Sequence, residues 1–69
     1  MNLTEKLKIA MIKQGVNQSK LAEASGQTLN NLSNKMARDN YKLSEYENLV
    51  TSLGCKLEIN IVLPDGTKI

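Results

Sequence analysis

The sequence predicts a mainly helical fold, in which four helices are followed by a C-terminal β-strand or short hairpin. Apolar residues recur at helical spacing in residues 3–14 and again in residues 46–53, a period typical of amphipathic helices. Between these stretches, two polar helix starts lie on either side of Gly26, as expected for two short helices joined by a tight turn. In residues 57–63 the apolar period changes to two, which indicates a strand.

The first two helices are predicted from their apolar stripes and their ends. The stripe of the first helix, over residues 3–14, comprises Leu3, Leu7, Ala10 and Met11. Gly15 is a natural stop, because glycine readily adopts the left-handed conformation common after helix ends. Asn17 is a good N-cap for the second helix, since its side chain can accept a hydrogen bond from a first-turn amide. Leu21 and Ala22 are the inward positions of that helix.

The third and fourth helices also have recognisable starts. Thr28 is the expected N-cap of a third helix that runs to Ala37. Its core-facing residues are Leu32 and Met36. Ser44 and Glu47, three residues apart, predict a capping box at the start of the fourth helix, and Gly54 ends that helix. The inward residues of the fourth helix are Tyr46, Leu49, Val50 and Leu53.

Residues 55–69 are predicted to form a dimerisation arm appended to a helical domain in residues 1–54. The alternating apolar residues of the arm, expected on one face of the strand, are Leu57, Ile59, Ile61 and Leu63. Pro64-Asp65-Gly66 turns the chain, but only three residues remain to return as a second strand. Because so short a partner leaves a bare strand edge, we expect two copies of the chain to pair these strands antiparallel across a two-fold axis.

Composition excludes several classes of function. The chain has 69 residues, no histidine and one cysteine, so neither a zinc site within one chain nor an intrachain disulfide is expected. The lone cysteine fits a reducing compartment, and we expect a cytoplasmic location. No apolar run reaches the roughly 18 residues that indicate a membrane span. Because no nucleophile motif or glycine-rich phosphate loop is present, we expect neither enzymatic activity nor a cofactor.

Charge is unevenly distributed along the chain. Residues 1–38 carry six lysine and arginine residues against two glutamates, a net charge of +4. Residues 39–69 carry three lysines against five acidic residues, a net charge of −2. The basic half contains the two short helices and their turn, and a basic surface there favours phosphate binding.

The stretch from Asn17 to Ala37 resembles the helix-turn-helix of the Cro/cI-type phage repressor family, also called the xenobiotic-response-element (XRE) family. The residues that match its glutamine, apolar, alanine, glycine and apolar positions are Gln18, Leu21, Ala22, Gly26 and Leu32. Ser25 and Gln27 depart from the family, which usually has apolar residues there. The resemblance covers approximately residues 3–54. It implies a lambda-repressor-like fold and a small transcriptional regulator of a bacterium, phage or mobile element, namely a repressor that binds double-stranded DNA as a homodimer.

In such a fold the third helix enters the major groove and presents its first turn and one outward face. The residues expected to contact bases are Gln27, Thr28, Leu29, Asn30, Asn31, Ser33 and Asn34. Asparagine and glutamine can bond bidentately to adenine, and leucine can pack on a thymine methyl group. The resemblance singles out Leu29, Asn30 and Asn34 as base-contacting positions. The residues expected to contact phosphates are Asn17, Gln18, Lys35, Arg38, Asn40 and Lys42.

Two alternatives to a homodimeric repressor follow from the same residues. The first is an antitoxin with this DNA-binding fold, whose C-terminal strand extends the sheet of a different partner protein. The second is a protein-interaction module that has lost DNA binding, which the polar turn residues and the modest net charge of +2 allow. Co-purification with an unrelated protein would favour the first, and failure to bind random duplex DNA would favour the second.

Overall fold

The structure, a computed structural model, describes residues 1–69 and contains four α-helices. They are α1 (Leu3–Gln14), α2 (Gln18–Ala24), α3 (Leu29–Arg38) and α4 (Leu43–Ser52). The predicted mainly helical fold and its four helices are therefore confirmed. The longest helix, α1, has 12 residues, and none of the four has the length and apolar character needed to cross a bilayer.

Side chains cap α2 and α3, because the amides of a first helical turn have no partners within the helix. Asn17 Oδ1 accepts a hydrogen bond from the Lys20 amide at 2.8 Å. Thr28 Oγ1 accepts one from the Asn31 amide at 3.1 Å. The N-caps predicted at Asn17 and Thr28 are confirmed, and they set where the two helices of the candidate site begin.

The start of α4 differs from the predicted capping box. Its N-cap is Lys42 instead of Ser44. Glu45 Oε1 accepts a hydrogen bond from the Lys42 amide at 3.0 Å, whereas a lysine side chain has no acceptor with which to complete a reciprocal box. The box predicted from Ser44 and Glu47 was therefore wrong by two residues. Glu45 also pairs with Lys35 of α3, a contact between helices that no local motif reveals.

All four helices contribute to one hydrophobic core. Its ten buried apolar residues are Leu7, Met11, Leu21, Ala22, Leu32, Met36, Tyr46, Leu49, Val50 and Leu53. The prediction that Leu3 is buried was wrong, since its side chain is 40% exposed. Thr4 is buried in its place. The Thr4 hydroxyl donates a hydrogen bond to the carbonyl oxygen of Met36 at 2.9 Å, which offsets the cost of burying a polar group.

Polar contacts join the start of α1 to the end of α3. Asp39 follows α3 in the left-handed conformation, with φ of 51°, which few residues other than glycine adopt. Its carboxylate accepts a hydrogen bond from the Thr4 amide at 2.7 Å, so a free donor in the first turn of α1 is satisfied. The Thr4 hydroxyl also lies 2.6 Å from the Tyr41 hydroxyl. These contacts hold the C-terminal end of α3 against the helical body.

The strand predicted over residues 57–63 is not formed. The only bridge in this segment is an isolated antiparallel one between Val62 and Lys68. Beside it, the amides of Ile61 and Ile69 each donate to the other residue's carbonyl oxygen, at 2.8 and 2.9 Å. The physical reason is that a strand forms only where a second strand pairs with it, and an isolated two-stranded hairpin is marginally stable in water. The return arm is too short to pair with more than the last part of the segment.

The apolar face of the arm is largely uncovered. Leu57 is half-buried and packs against the core. In contrast, Ile59 and Ile61 are 57% and 61% exposed, and Leu63 is also exposed. Within one chain, therefore, only the beginning of the arm lies on the helices.

Candidate nucleic-acid interface

Helices α2 and α3 form the centre of the candidate site. Leu21 of α2 and Leu32 of α3 are fully buried, and the small side chain of Ala22 is buried beside them. Gly26 in the turn has φ of +75°, and a Cβ atom there would meet no other atom within 4 Å. The backbone conformation, and not a lack of space, therefore requires glycine. Because one side of α3 is held in the core, its opposite side faces solvent.

Ser25 and Gln27, the two turn residues that depart from the family's apolar pattern, bond to each other. Gln27 Nε2 donates to Ser25 Oγ at 2.9 Å. Ser25 Oγ in turn donates to the carbonyl oxygen of Leu21 at 2.8 Å, and the Asn48 side chain of α4 donates to the Ser25 carbonyl oxygen at 3.1 Å. Both turn side chains are half-buried. Hydrogen bonds here replace the apolar contacts that the resemblance implies.

Most of the residues predicted to contact bases lie on the exposed side of α3. Asn30, Asn31 and Asn34 are exposed, and Leu29 is 46% exposed although it is apolar. The Thr28 hydroxyl, in contrast, is used as the N-cap of α3. Amide groups beside an exposed leucine supply the donors, acceptors and apolar contact with which base edges in a major groove are read.

Gln18 of α2 and Ser33 of α3 were predicted to contact a phosphate and a base, respectively. The structure brings them together, since Gln18 Nε2 donates to Ser33 Oγ at 2.6 Å, and both residues are half-buried. The second hydrogen on Nε2 is not used by this bond, so Gln18 retains a donor for a phosphate. Ser33 contributes instead to the orientation of Gln18.

A polar depression along α3 brings together residues from both predicted sets. It is lined by Asn31, Asn34, Lys35, Arg38 and Asn40. The first two residues belong to the set predicted to contact bases, and the other three belong to the set predicted to contact phosphates. Since cations lie beside amide groups, this surface suits a phosphate backbone adjacent to a base edge.

Lys35 differs from Arg38 in this depression because it is already paired. Its ammonium group forms an ion pair with the carboxylate of Glu45 and lies 3.4 Å from Gln27 Oε1. Hydrogen bonds from Lys35 and from the Lys42 amide lower the pKa of the Glu45 carboxyl below its ordinary value. Glu45 was not predicted to belong to the site. It lies on a different helix from Lys35, so neither residue spacing nor a motif indicated the pair.

The residues predicted to mediate dimerisation lie elsewhere. Leu57 and Ile59 line an apolar groove together with residues of α1 and the start of α4, among them Leu3, Ala10 and Leu43. None of these residues lines the polar depression on α3. The structure thus separates an apolar surface that includes the arm from a polar surface on α3.

The chain matches no protein-family model, no curated protein and no solved structure with which it was compared. The resemblance to the Cro/cI-type family therefore depends on the helix-turn-helix residues themselves.

Proposed function

We propose that the protein binds specific double-stranded DNA sequences as a small Cro-like transcriptional repressor. The observation that carries the proposal is the buried packing of α2 against α3, which leaves a row of exposed amide side chains on α3 beside Lys35 and Arg38. In the proposed complex, a lambda-repressor-like domain places α3 in the major groove. Asn30 and Asn34 read bases there, and the protein represses by covering an operator. The proposal involves no catalysis and no cofactor.

The proposal includes a homodimer formed through the arm. The Ile61 amide points toward the return arm, where it donates to the Ile69 carbonyl oxygen. In an antiparallel pair, successive residues alternate between bonded and non-bonded positions, so the amides of Asn60 and Val62 point to the opposite, free edge. A second copy paired at that edge would satisfy these groups. It would also place its own apolar side chains beside the exposed isoleucines, which buries further apolar area in a protein with a small core.

Selection of bound sequences from a pool of random duplexes tests this proposal. We expect a recurring site made of two half-sites, with centres separated by about one helical turn, roughly 34 Å. Failure to enrich any sequence would overturn sequence-specific binding. Enrichment of single half-sites would leave DNA reading intact but overturn the homodimer.

A charge variant then locates the DNA-binding surface. Arg38→Ala should weaken binding to specific and random duplexes alike and reduce the slope of log K against log salt by about 0.9, because one phosphate loses its cation. Lys13→Ala on α1 removes the same charge from a residue outside the depression and serves as the control. Equal salt slopes for the two variants would show that Arg38 faces solvent in the complex.

The exposed arm supports a second candidate function, in which the protein is an antitoxin that binds DNA through α3 and a different protein through the arm. Exposed isoleucines beside unpaired backbone groups suit the addition of a strand to a partner's sheet. Sedimentation at micromolar concentration distinguishes the two candidates. A dimer supports the repressor, whereas a monomer that forms a defined complex with the product of a neighbouring gene supports the antitoxin.

A further inference from the structure

The ion pair between Lys35 and Glu45 lies on the surface proposed to contact DNA phosphates. The two side chains are 32% and 31% exposed, so a phosphate has access to both. An exposed pair of this kind contributes little to stability. A phosphate oxygen can therefore take the place of the carboxylate at the Lys35 ammonium group.

Glu45 is held in this position by a second contact. Its Oε1 accepts a hydrogen bond from the Lys42 amide at the start of α4, while Oε2 faces Lys35. The carboxylate thus joins the Lys35 ammonium group to the backbone of Lys42, and both residues were predicted to contact phosphates. When Lys35 turns to a phosphate, Glu45 stays fixed by the Lys42 amide, and its negative charge remains beside the DNA backbone.

From this geometry we infer that Glu45 limits the strength and the salt dependence of DNA binding by occupying Lys35 in the free protein. The inference rests on the proposed DNA-binding function. It assigns Glu45 the role of a built-in competitor of phosphate. Gln27 takes part in the same interaction, because its Oε1 is the other partner of the Lys35 ammonium group. This hydrogen bond is lost when Lys35 moves.

Glu45→Gln tests this role without removing the helix cap. Glutamine at the third helical position caps the N-terminus as glutamate does, but it carries no charge to hold Lys35. Glu47→Gln is the matched control, since Glu47 lies exposed on the same helix and the net charge changes equally. Affinity for the selected operator and for a random duplex is measured between 50 and 200 mM salt.

We expect Glu45→Gln to bind both duplexes more tightly than the parent at low salt. Its salt slope should be steeper by about 0.9, which corresponds to a further loss of about 3.5-fold in affinity over a fourfold rise in salt. Glu47→Gln should change much less. In a Lys35→Ala background the gain from Glu45→Gln should be much smaller, because no cation is released and only the repulsion between the Glu45 carboxylate and the phosphates is removed.

Two results would overturn the inference alone, namely identical behaviour of the two glutamine variants and weaker binding by Glu45→Gln. The second would mean that Glu45 positions Lys35 for DNA instead of competing with it. A parent protein that binds neither duplex would overturn the proposed function, and this inference with it.

Discussion

The helical region and the C-terminal arm differ in where their apolar side chains lie. The helices bury ten apolar residues in one core, whereas the arm exposes Ile59, Ile61, Val62 and Ile69. A helix satisfies most of its backbone hydrogen bonds within itself, so it needs its neighbours mainly to bury its apolar stripe. A strand requires a second strand. The comparison shows that the helical region builds a core from its own residues, whereas one chain leaves most of the apolar residues of the arm uncovered.

The largest expected difference between the two regions is in the free energy of unfolding. Leu49 is fully buried in α4, and Leu49→Ala should cost about 2–5 kcal/mol. A core of this size supplies only about 3–5 kcal/mol, so this variant should be largely unfolded. Ile61→Ala, measured by urea unfolding at a concentration where the protein is monomeric, should change the free energy by no more than about 0.5 kcal/mol. Equal losses would show that the arm is part of the folding unit.

Proline substitutions at two adjacent positions should distinguish loss of the dimer from loss of the hairpin. Asn60→Pro removes a donor from the free edge, so the protein should become monomeric by sedimentation while the Ile69 amide stays protected from hydrogen exchange. Ile61→Pro removes the donor that bonds to Ile69 and should expose that amide. A dimeric Asn60→Pro variant would show that the free edge is not the interface.

Loss of an aspartate should destabilise the helical region when the residue is Asp39 but not when it is Asp65 of the arm. Asp39 accepts a charge-assisted hydrogen bond from the Thr4 amide, and Asp39→Ala should destabilise the protein by about 1.5–3 kcal/mol. Asp39→Asn should lose less, because asparagine retains an acceptor and tolerates the left-handed conformation. Asp65 bonds to the Thr67 amide within the arm. Asp65→Ala should therefore leave the thermal unfolding midpoint of the helical region unchanged, and a comparable fall for both alanine variants would contradict this assignment.

Base reading should depend on α3 and not on the arm. Asn30→Ala and Asn34→Ala should each weaken operator binding by about 1–3 kcal/mol and relax the preference at particular bases. Binding to random duplex should change little. Ile59→Ala should instead weaken the dimer and leave the preferred half-site unaltered in a selection experiment. If both asparagine variants lose affinity equally for operator and random DNA, these residues contact phosphates.

The smallest expected effect is on the pH dependence of stability. Glu45 has a pKa lowered from its ordinary value of 4.5, mainly by the hydrogen bond from Lys35. The Asp65 pKa is likewise lowered from 3.8, by bonds to Thr67. A carboxyl whose pKa is lower in the folded state stabilises that state above the unfolded pKa, and this contribution is lost as the pH falls through the folded value. The free energy of unfolding, measured with urea, should therefore fall less steeply between pH 7 and pH 3 for Glu45→Gln than for the parent. Asp65→Asn should leave the slope unchanged, because its bonds lie in the arm.

The parts of the structure that were predicted correctly depend on residues close in sequence. The caps at Asn17 and Thr28 involve amides three residues later, and the buried stripes repeat every three or four residues. The start of α4 was predicted two residues late because lysine is not a typical N-cap residue, although Glu45 bonds to the Lys42 amide. The strand over residues 57–63 was wrong for a different reason, since alternation shows which face is apolar but not whether a partner strand exists.

In the candidate site, too, some features follow from residues close in sequence and others depend on how the helices pack. Residue types and helical spacing were sufficient to place Asn30, Asn31 and Asn34 on one exposed face, and their role in DNA reading stays a prediction. Sequence by itself determined the four helices, most of their buried stripes and the polar character of this face, because each depends on interactions within one turn or one helix. Only the tertiary structure decided that Gln18 meets Ser33, that Lys35 is occupied by Glu45 and that the arm is left uncovered. These outcomes depend on which surfaces meet after the helices pack, and residue spacing within an element does not contain that information.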